Sequence, residues 1–228
     1  SNDVAAIGYH GQTIRHRPEK GFSIQIGNAH FLVEKTNINV VTDFRNRDIA
    51  AGGEGAPLVP AFHDYYFASK YKNRVILNIG GISNITFLNQ NKKTIGFDCG
   101  PGNILLDHWI LKNKNLTYDS EGSWAKSGSL IPALIERFLQ EDYFLRPPPK
   151  SCGREQFNLD WIYKHSVDSF RAEDIQRTLL EITALTITSS ITKYCSNVDE
   201  IYICGGGSKN NFLIERLSQI IEMPIQNT

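Results

Sequence analysis

The run Arg74-VILNIGGISNITFL-Asn89 constrains the fold more than any other part of the chain, because apolar and β-branched residues flank a tight Gly80-Gly81 pair. Such a run pairs with itself as two antiparallel strands pivoting on the glycines, with Ile82, Ser83 and Asn84 beginning the return. Asn89 to Lys93 supplies a polar hairpin turn, and Thr94 to Phe97 a third strand. A helix follows, with Leu105, Leu106, Trp109 and Ile110 on its apolar face and Asp107 on its polar side. A glycine pair between strands also exposes backbone N–H groups suited to phosphate oxygens, although an ordinary hairpin would read the same way.

The third strand ends in Asp98-Cys99-Gly100-Pro101-Gly102-Asn103, a carboxylate at a strand end followed by a glycine turn. The same arrangement occurs earlier. Val40, Val41 and Thr42 close a β-branched strand, and Asp43 emerges where it stops, a usual place for a functional carboxylate in an α/β sheet. Arg45, Arg47 and Asp48 follow, then Glu54 among Gly52, Gly53 and Gly55, where the backbone can approach a ligand closely. Pro57 and Pro60 stiffen the exit. The alternative for this loop is a solvated segment with an Asp–Arg pair.

Composition excludes some partners. With 24 basic and 24 acidic side chains in 228 residues the net charge is zero, which leaves no electrostatic footprint for nucleic acid or an anionic membrane. No apolar run approaches the roughly 18 residues of a spanning helix and no signal peptide is visible, so a cytoplasmic setting is expected. Cys99, Cys152, Cys195 and Cys204 lack zinc-site spacing and are expected to be reduced, structural thiols.

At the start, Ser1-Asn2 resembles a scar of tag removal, and Val4 to Ile7 is expected to be a buried strand broken by Gly8 and Gly11. His10, Gln12, Thr13, Arg15 and His16 offer donors and acceptors for a polyhydroxylated ligand. Phe22 to Ile26 alternates as a strand turned by Gly27-Asn28; Phe31 to Lys35 is too short to assign. Ala61 to Tyr71 has helical spacing through Phe62, Tyr65, Tyr66 and Phe67, an aromatic face expected in the core. Leu130 to Gln140 is amphipathic, and Pro147-Pro148-Pro149 leads into the polar Lys150-Ser-Cys-Gly-Arg-Glu155. A helix over Asp174 to Tyr194 buries Ile175, Leu179, Ile182 and Ile191, so Glu181 among them sits at a helix edge or in a site. Val198 to Ile203 is a strand, Cys204 to Ser208 a glycine loop, and Asn211 to Ile221 a helix. Gly205, Gly206 and Gly207 could let a nucleotide lie against the backbone, or serve tight packing.

GYHGQTIRH, VTDFRNRDIAAGGEGAPLVP, NIGGISNI, GFDCGPGN, PPPKSCGRE and ICGGGSKN, in this order, resemble the anhydro-N-acetylmuramic acid kinases of the actin-like sugar-kinase superfamily. The resemblance covers nearly the whole chain. It implies an α/β, RNase H-like fold of mixed sheets with flanking helices, in two halves with ATP in the cleft between them. Its expected division is 1–72, with sugar and catalytic loops, and 73–228, with phosphate and adenosine loops. The implied reaction uses ATP and Mg²⁺. Water opens the anhydro ring of the sugar while the freed O6 takes the γ-phosphate, giving N-acetylmuramic acid 6-phosphate for cell-wall recycling.

By motif, the resemblance implies Asp43 as the base that activates water. His10, Gln12, Thr13, Arg45 and Glu181 are expected around the sugar. Gly80, Gly81, Ser83, Asn84, Gly100, Gly102, Asn103 and Gly205 to Gly207 are expected around the nucleotide. No metal ligand is assigned, and a homodimer is compatible with the resemblance. The chain departs from the family pattern in having no Gly-Thr-Ser/Asp-Gly phosphate loop before Asp3 and no further strand-and-helix tail after Thr228. Truncation at both ends is therefore expected, with the fragment inactive. Tyr9, Cys99 and Cys152 stand where the family pattern has smaller or hydroxyl residues. A non-catalytic nucleotide- or sugar-binding module on the same fold is the alternative.

Overall fold

A computed structural model describes residues 3–90 and 93–228. The tag-scar reading of Ser1-Asn2 and the centre of the 89–93 turn lie outside the described residues. The chain divides into two compact units, one ending at Leu58 and the other running from Val59 to Thr228.

In the first unit β1 (Ile7–Tyr9) pairs in parallel with β4 (Val40–Thr42), and β2 (Gln12–Arg17) pairs with β3 (Phe22–Ile26) as an antiparallel hairpin. The opening strand starts at Ile7, later than expected, because Ile7 is the first residue with a partner, Val40. Helix α1 (Ala29–Thr36) covers the stretch left unassigned by pattern; Asn28 Oδ1 accepts from Phe31 N at 2.9 Å and caps it. Helix α2 (Phe44–Ala50) follows β4 directly.

The second unit carries α3 (Pro60–Phe67) and then β5 (Arg74–Ile79), β6 (Ile82–Leu88) and β7 (Ile95–Pro101). Next come α4 (Ile104–Lys114), α5 (Ser123–Ser127), α6 (Pro132–Leu139), α7 (Asp142–Leu145), α8 (Leu159–Tyr163) and α9 (Ala172–Tyr194). The unit closes with β8 (Glu200–Cys204), α10 (Asn211–Ile221) and β9 (Ile225–Asn227). The strands form one sheet in the order β7-β6-β5-β8-β9, the first three antiparallel and the last two joining in parallel. A three-strand meander extended by parallel strands from its first member is the RNase H-like half-domain that the resemblance implied.

Val75, Leu77, Ile79, Ile85, Phe87 and Phe97 point from one face of this sheet into a core completed by α4 and α9. Burying each such side chain contributes about 1.5–3 kcal/mol. Residues alternate across a strand, so Thr86 faces the other way, and there it meets His63 of α3, Oγ1 to Nδ1 at 2.8 Å. Phe67 lies against Tyr202, and Pro60 against Gly96, on that same side. This packing places the boundary at Leu58/Val59, before α3, where the sequence division put it after Lys72.

It also reverses the expected orientation of α3. Phe62, Tyr65 and Tyr66 are exposed, and the inward face is His63 with Phe67. Strand β7 likewise runs past Asp98 to Pro101, because a bulge at Ser83/Asn84 resets its register against β6. Asp98 is therefore inside a strand and buried, its Oδ2 accepting from Cys152 N at 3.0 Å.

Candidate functional site

Asp43 occupies the N-cap position of α2 with left-handed backbone, φ 62° and ψ 37°, yet its side chain caps nothing. Non-glycine residues in this region are uncommon and gather at functional sites. Its Oδ1 instead accepts from Asn46 Nδ2 at 2.7 Å, and Asn46 Oδ1 accepts from Ser23 N at 2.7 Å. Ser23, Ile24, Gln25, Thr42, Asp43 and Asn46 line a cavity of about 320 Å³. A second cavity of about 180 Å³ shares Gln25 and Thr42 with it and adds Tyr9, His10, Asn28 and His30. Gln25 Nε2 donates to Ser23 Oγ at 2.7 Å and Thr13 Oγ1 at 3.3 Å, so its polar end is held between β2 and β3.

The anchoring of the loop after α2 falls to other residues. Asp48 Oδ2 accepts from Gly55 N at 2.7 Å, and Arg45 Nη1 donates to Gly55 O at 2.7 Å. Arg45 Nε also donates to His10 Nε2 at 3.0 Å, while His10 Nδ1 donates to Gly11 O at 2.7 Å, which sets the Nδ1–H tautomer. The structure thus brings Asp43 and His10 to two adjoining cavities, with Arg45 behind His10 and Thr13 reached only through its bond from Gln25. Gln12 is exposed and reaches only the neighbouring Thr13 carbonyl at 3.4 Å. Ser23, Gln25 and Asn46 were not foreseen. For the first two the signal was the polar pair Ser23/Gln25, which alternation puts on one face of β3; Asn46 carried none.

In the second unit the glycine loops meet at the carboxyl ends of β5 and β8. Gly102 N and Ile104 N donate to Gly81 O at 2.8 and 3.1 Å, and Asn103 N donates to Gly80 O at 2.8 Å. The amides after β7 are thereby engaged within the protein and hold the Gly80-Gly81 turn. Ser83, fully buried, gives its hydroxyl to Gly100 O at 3.1 Å. Asn84 Oδ1 is buried and, among the described residues, has no hydrogen-bond partner.

The glycines divide by what a Cβ would meet. At Gly102 it would stand 2.4 Å from Gly80 O, at Gly205 2.6 Å from Ile79 O, and at Gly207 2.3 Å from Ile79 Cγ2. Gly100, at φ 150°, would meet Phe144 at 2.8 Å. These four serve packing. Gly80, Gly81 and Gly206 have no atom within 3.4 Å of that position, so the space a side chain would fill is clear there, but Gly80 N is not the exposed amide expected from the sequence, because it donates to Ile82 O at 3.1 Å.

Beside Gly206 and Asn103 lies a cavity of about 510 Å³, lined further by Asp107, Tyr118, Glu121, Lys209 and Asn210. Burial, and then the charge of Asp119, push the Asp107 carboxyl up to about 6. Asp119 itself is held by Trp124 N and Ala125 N at 2.9 Å each and by Gln176 Nε2 at 3.2 Å.

Glu181 lies elsewhere, buried in α9. Arg177 Nη1 and Arg216 Nε reach its Oε2 at 2.8 and 3.0 Å, and Arg216 Nη2 its Oε1 at 2.7 Å. Burial alone would raise its pKa; the bonds from Arg216 and Arg177 outweigh that and hold it below the ordinary range. Both oxygens are accounted for by protein, so neither a helix edge nor a ligand is needed to explain this buried glutamate.

A family model described as anhydro-N-acetylmuramic acid kinase matches residues 1–228, the whole chain. The chain belongs to the anhydro-N-acetylmuramic acid kinase family. It is 51% identical over 221 residues to the anhydro-N-acetylmuramic acid kinase of Pseudomonas syringae pv. tomato, covering 96% of this chain and 61% of that protein. Against the enzyme of the same name from Nitrosomonas europaea it is 53% identical over 219 residues, covering 95% and 60%. The chain thus spans about 60% of the length of the curated relatives it matches. A solved structure, the activator of 2-hydroxyisocaproyl-CoA dehydratase from Clostridium difficile with bound ADPNP, aligns with a TM-score of 0.49 at 15% identity, covering 98% of this chain and 86% of that one. Among the described residues no helix is long and apolar enough to cross a membrane.

Proposed function

We propose that the protein, at the length of its relatives, is an ATP-dependent kinase that hydrolytically opens 1,6-anhydro-N-acetylmuramic acid and yields N-acetylmuramic acid 6-phosphate, a step of cell-wall recycling in the cytoplasm. The whole-chain family match, at about half identity to kinases of that name, carries the reading. The polar cavity around Asp43 gives it a place for a base. In this reading Asp43 accepts a proton from water as the water oxygen bonds to C1. The C1–O6 bond breaks, O6 takes the γ-phosphoryl group and ADP leaves. A base so placed contributes about 10²–10⁴-fold.

His10, Thr13 and Arg45, with Gln25, would bind and orient the sugar. In the second unit the clear space beside the Gly80-Gly81 backbone would admit the phosphates, and the cavity beside Gly206 and Asn103 would take the adenosine side. Mg²⁺ would arrive with ATP, held mostly by phosphate oxygens and water with one or two carboxylates. The described residues hold no group of three or more His, Cys, Asp or Glu that could hold a metal ion. Glu181 is left out of the sugar site.

The test is turnover of the anhydro sugar with ATP in ¹⁸O-labelled water. The proposal requires one ¹⁸O at C1, phosphate on O6 and one ADP per sugar; phosphorylation without label at C1, or none at all, overturns it.

A further inference from the structure

Resting on the reading of Asp43 as base, we infer that Asn46 is its positioning residue, holding one carboxylate oxygen so that the other faces the cavity. The Asn46 amide has chemistry fixed at both ends. Ser23 N–H can only donate, so the atom 2.7 Å from it is the amide oxygen, and the NH₂ is thereby turned to Asp43 Oδ1, also at 2.7 Å. Ser23 is buried and belongs to β3, so the amide is referenced to a strand rather than to the loop that carries Asp43.

The carboxylate needs such a reference. Asp43 is exposed, in left-handed backbone, with no capping bond to its own helix. Among the described residues no other side-chain bond reaches it, so Oδ2 is left open. Asp43 and Asn46 line the same cavity of about 320 Å³, room enough for a small nucleophile beside the carboxylate. An error of about 1 Å in such placement costs about 10²-fold in rate.

Asn46→Asp keeps an acceptor for Ser23 N but replaces the donor to Asp43 with a like charge, whereas Asn46→Ala removes both contacts. Each is made alone and with Asp43→Asn in the full-length gene product, and kcat, sugar KM and Tm are measured. Both Asn46 variants are expected to lose about 10- to 100-fold in kcat with sugar KM changed less than about twofold, Asn46→Asp without loss of Tm. On the Asp43→Asn background the same changes should cost almost nothing further, because Asn46 acts only through Asp43. If Asp43→Asn loses turnover but the Asn46 effects multiply with it, or appear only in KM or Tm, the inference about Asn46 fails alone. Should Asp43→Asn itself keep near-normal turnover, the base reading fails and the inference with it.

Discussion

Gly102 stands so close to Gly80 that a methyl group on it would lie 2.4 Å from the Gly80 carbonyl oxygen, while its own N–H bonds Gly81 O at 2.8 Å. One glycine is thus a packing requirement that keeps another pair open. Gly102→Ala should destabilise the second unit by about 1–3 kcal/mol, the usual result of overpacking. Chemical denaturation checks this; an unchanged midpoint would contradict it.

Gly81 behaves differently, since the nearest atom to a methyl group placed there is Ile104 Cβ at 3.8 Å. Gly81→Ala should leave Tm nearly unchanged. In the full-length protein it should weaken ATP by about 1–2 kcal/mol, roughly 5- to 30-fold in KM, with sugar KM unaffected. Steady-state kinetics in both substrates decides; equal rises in the two constants would return the glycine pair to an ordinary hairpin.

Glu181 joins Arg177 and Arg216 inside the second unit. Glu181→Ala strands two arginines and should cost about 3–5 kcal/mol. The folded-state pKa is depressed, so the stabilisation is present above the ordinary glutamate pKa and is lost as pH falls through the lower folded value. The stability gap between wild type and variant should therefore narrow as pH falls below about 4. Activity per folded molecule should be retained, whereas a raised sugar KM would show that Glu181 contacts substrate.

Asp107 has the opposite sign. Its folded pKa is raised to about 6, so its contribution is fully present below the unfolded carboxylate value and is lost as pH rises through 6. Asp107→Asn should be more stable than wild type at pH 7.5, by about 1 kcal/mol once solvent screening of this half-exposed group is discounted, and no more stable at pH 4. Thermal melts at the two pH values test the sign.

Much of the second unit was legible in the sequence because its signals are local. The Gly80-Gly81 turn sits between two β-branched runs, and α10 lies between Asn210, whose Oδ1 accepts from Leu213 N, and the end of its apolar pattern. Where partners decide, pattern failed. Phe62, Tyr65, Tyr66 and Phe67 fill most faces of one short helix, so only the docking of His63 on Thr86 selects the inner side. Gly100 and Pro101 do not look like strand, and join β7 only because the bulge at Ser83/Asn84 lets them pair. Asn46 and Ser23 are 23 residues apart, and nothing local links a helix asparagine to a strand amide.

Whether Asp43 takes the proton is read from turnover by full-length Asp43→Asn, with Tm and sugar affinity taken on the same preparation. The amide keeps the size of the side chain but cannot accept a proton, and the neighbouring loop is held by Asp48 and Arg45 instead. With Asp43 as the base, kcat falls by about 10²–10⁴-fold while melting temperature and sugar binding change little. Near-normal turnover, or a loss no greater than the loss of folded protein, would contradict it.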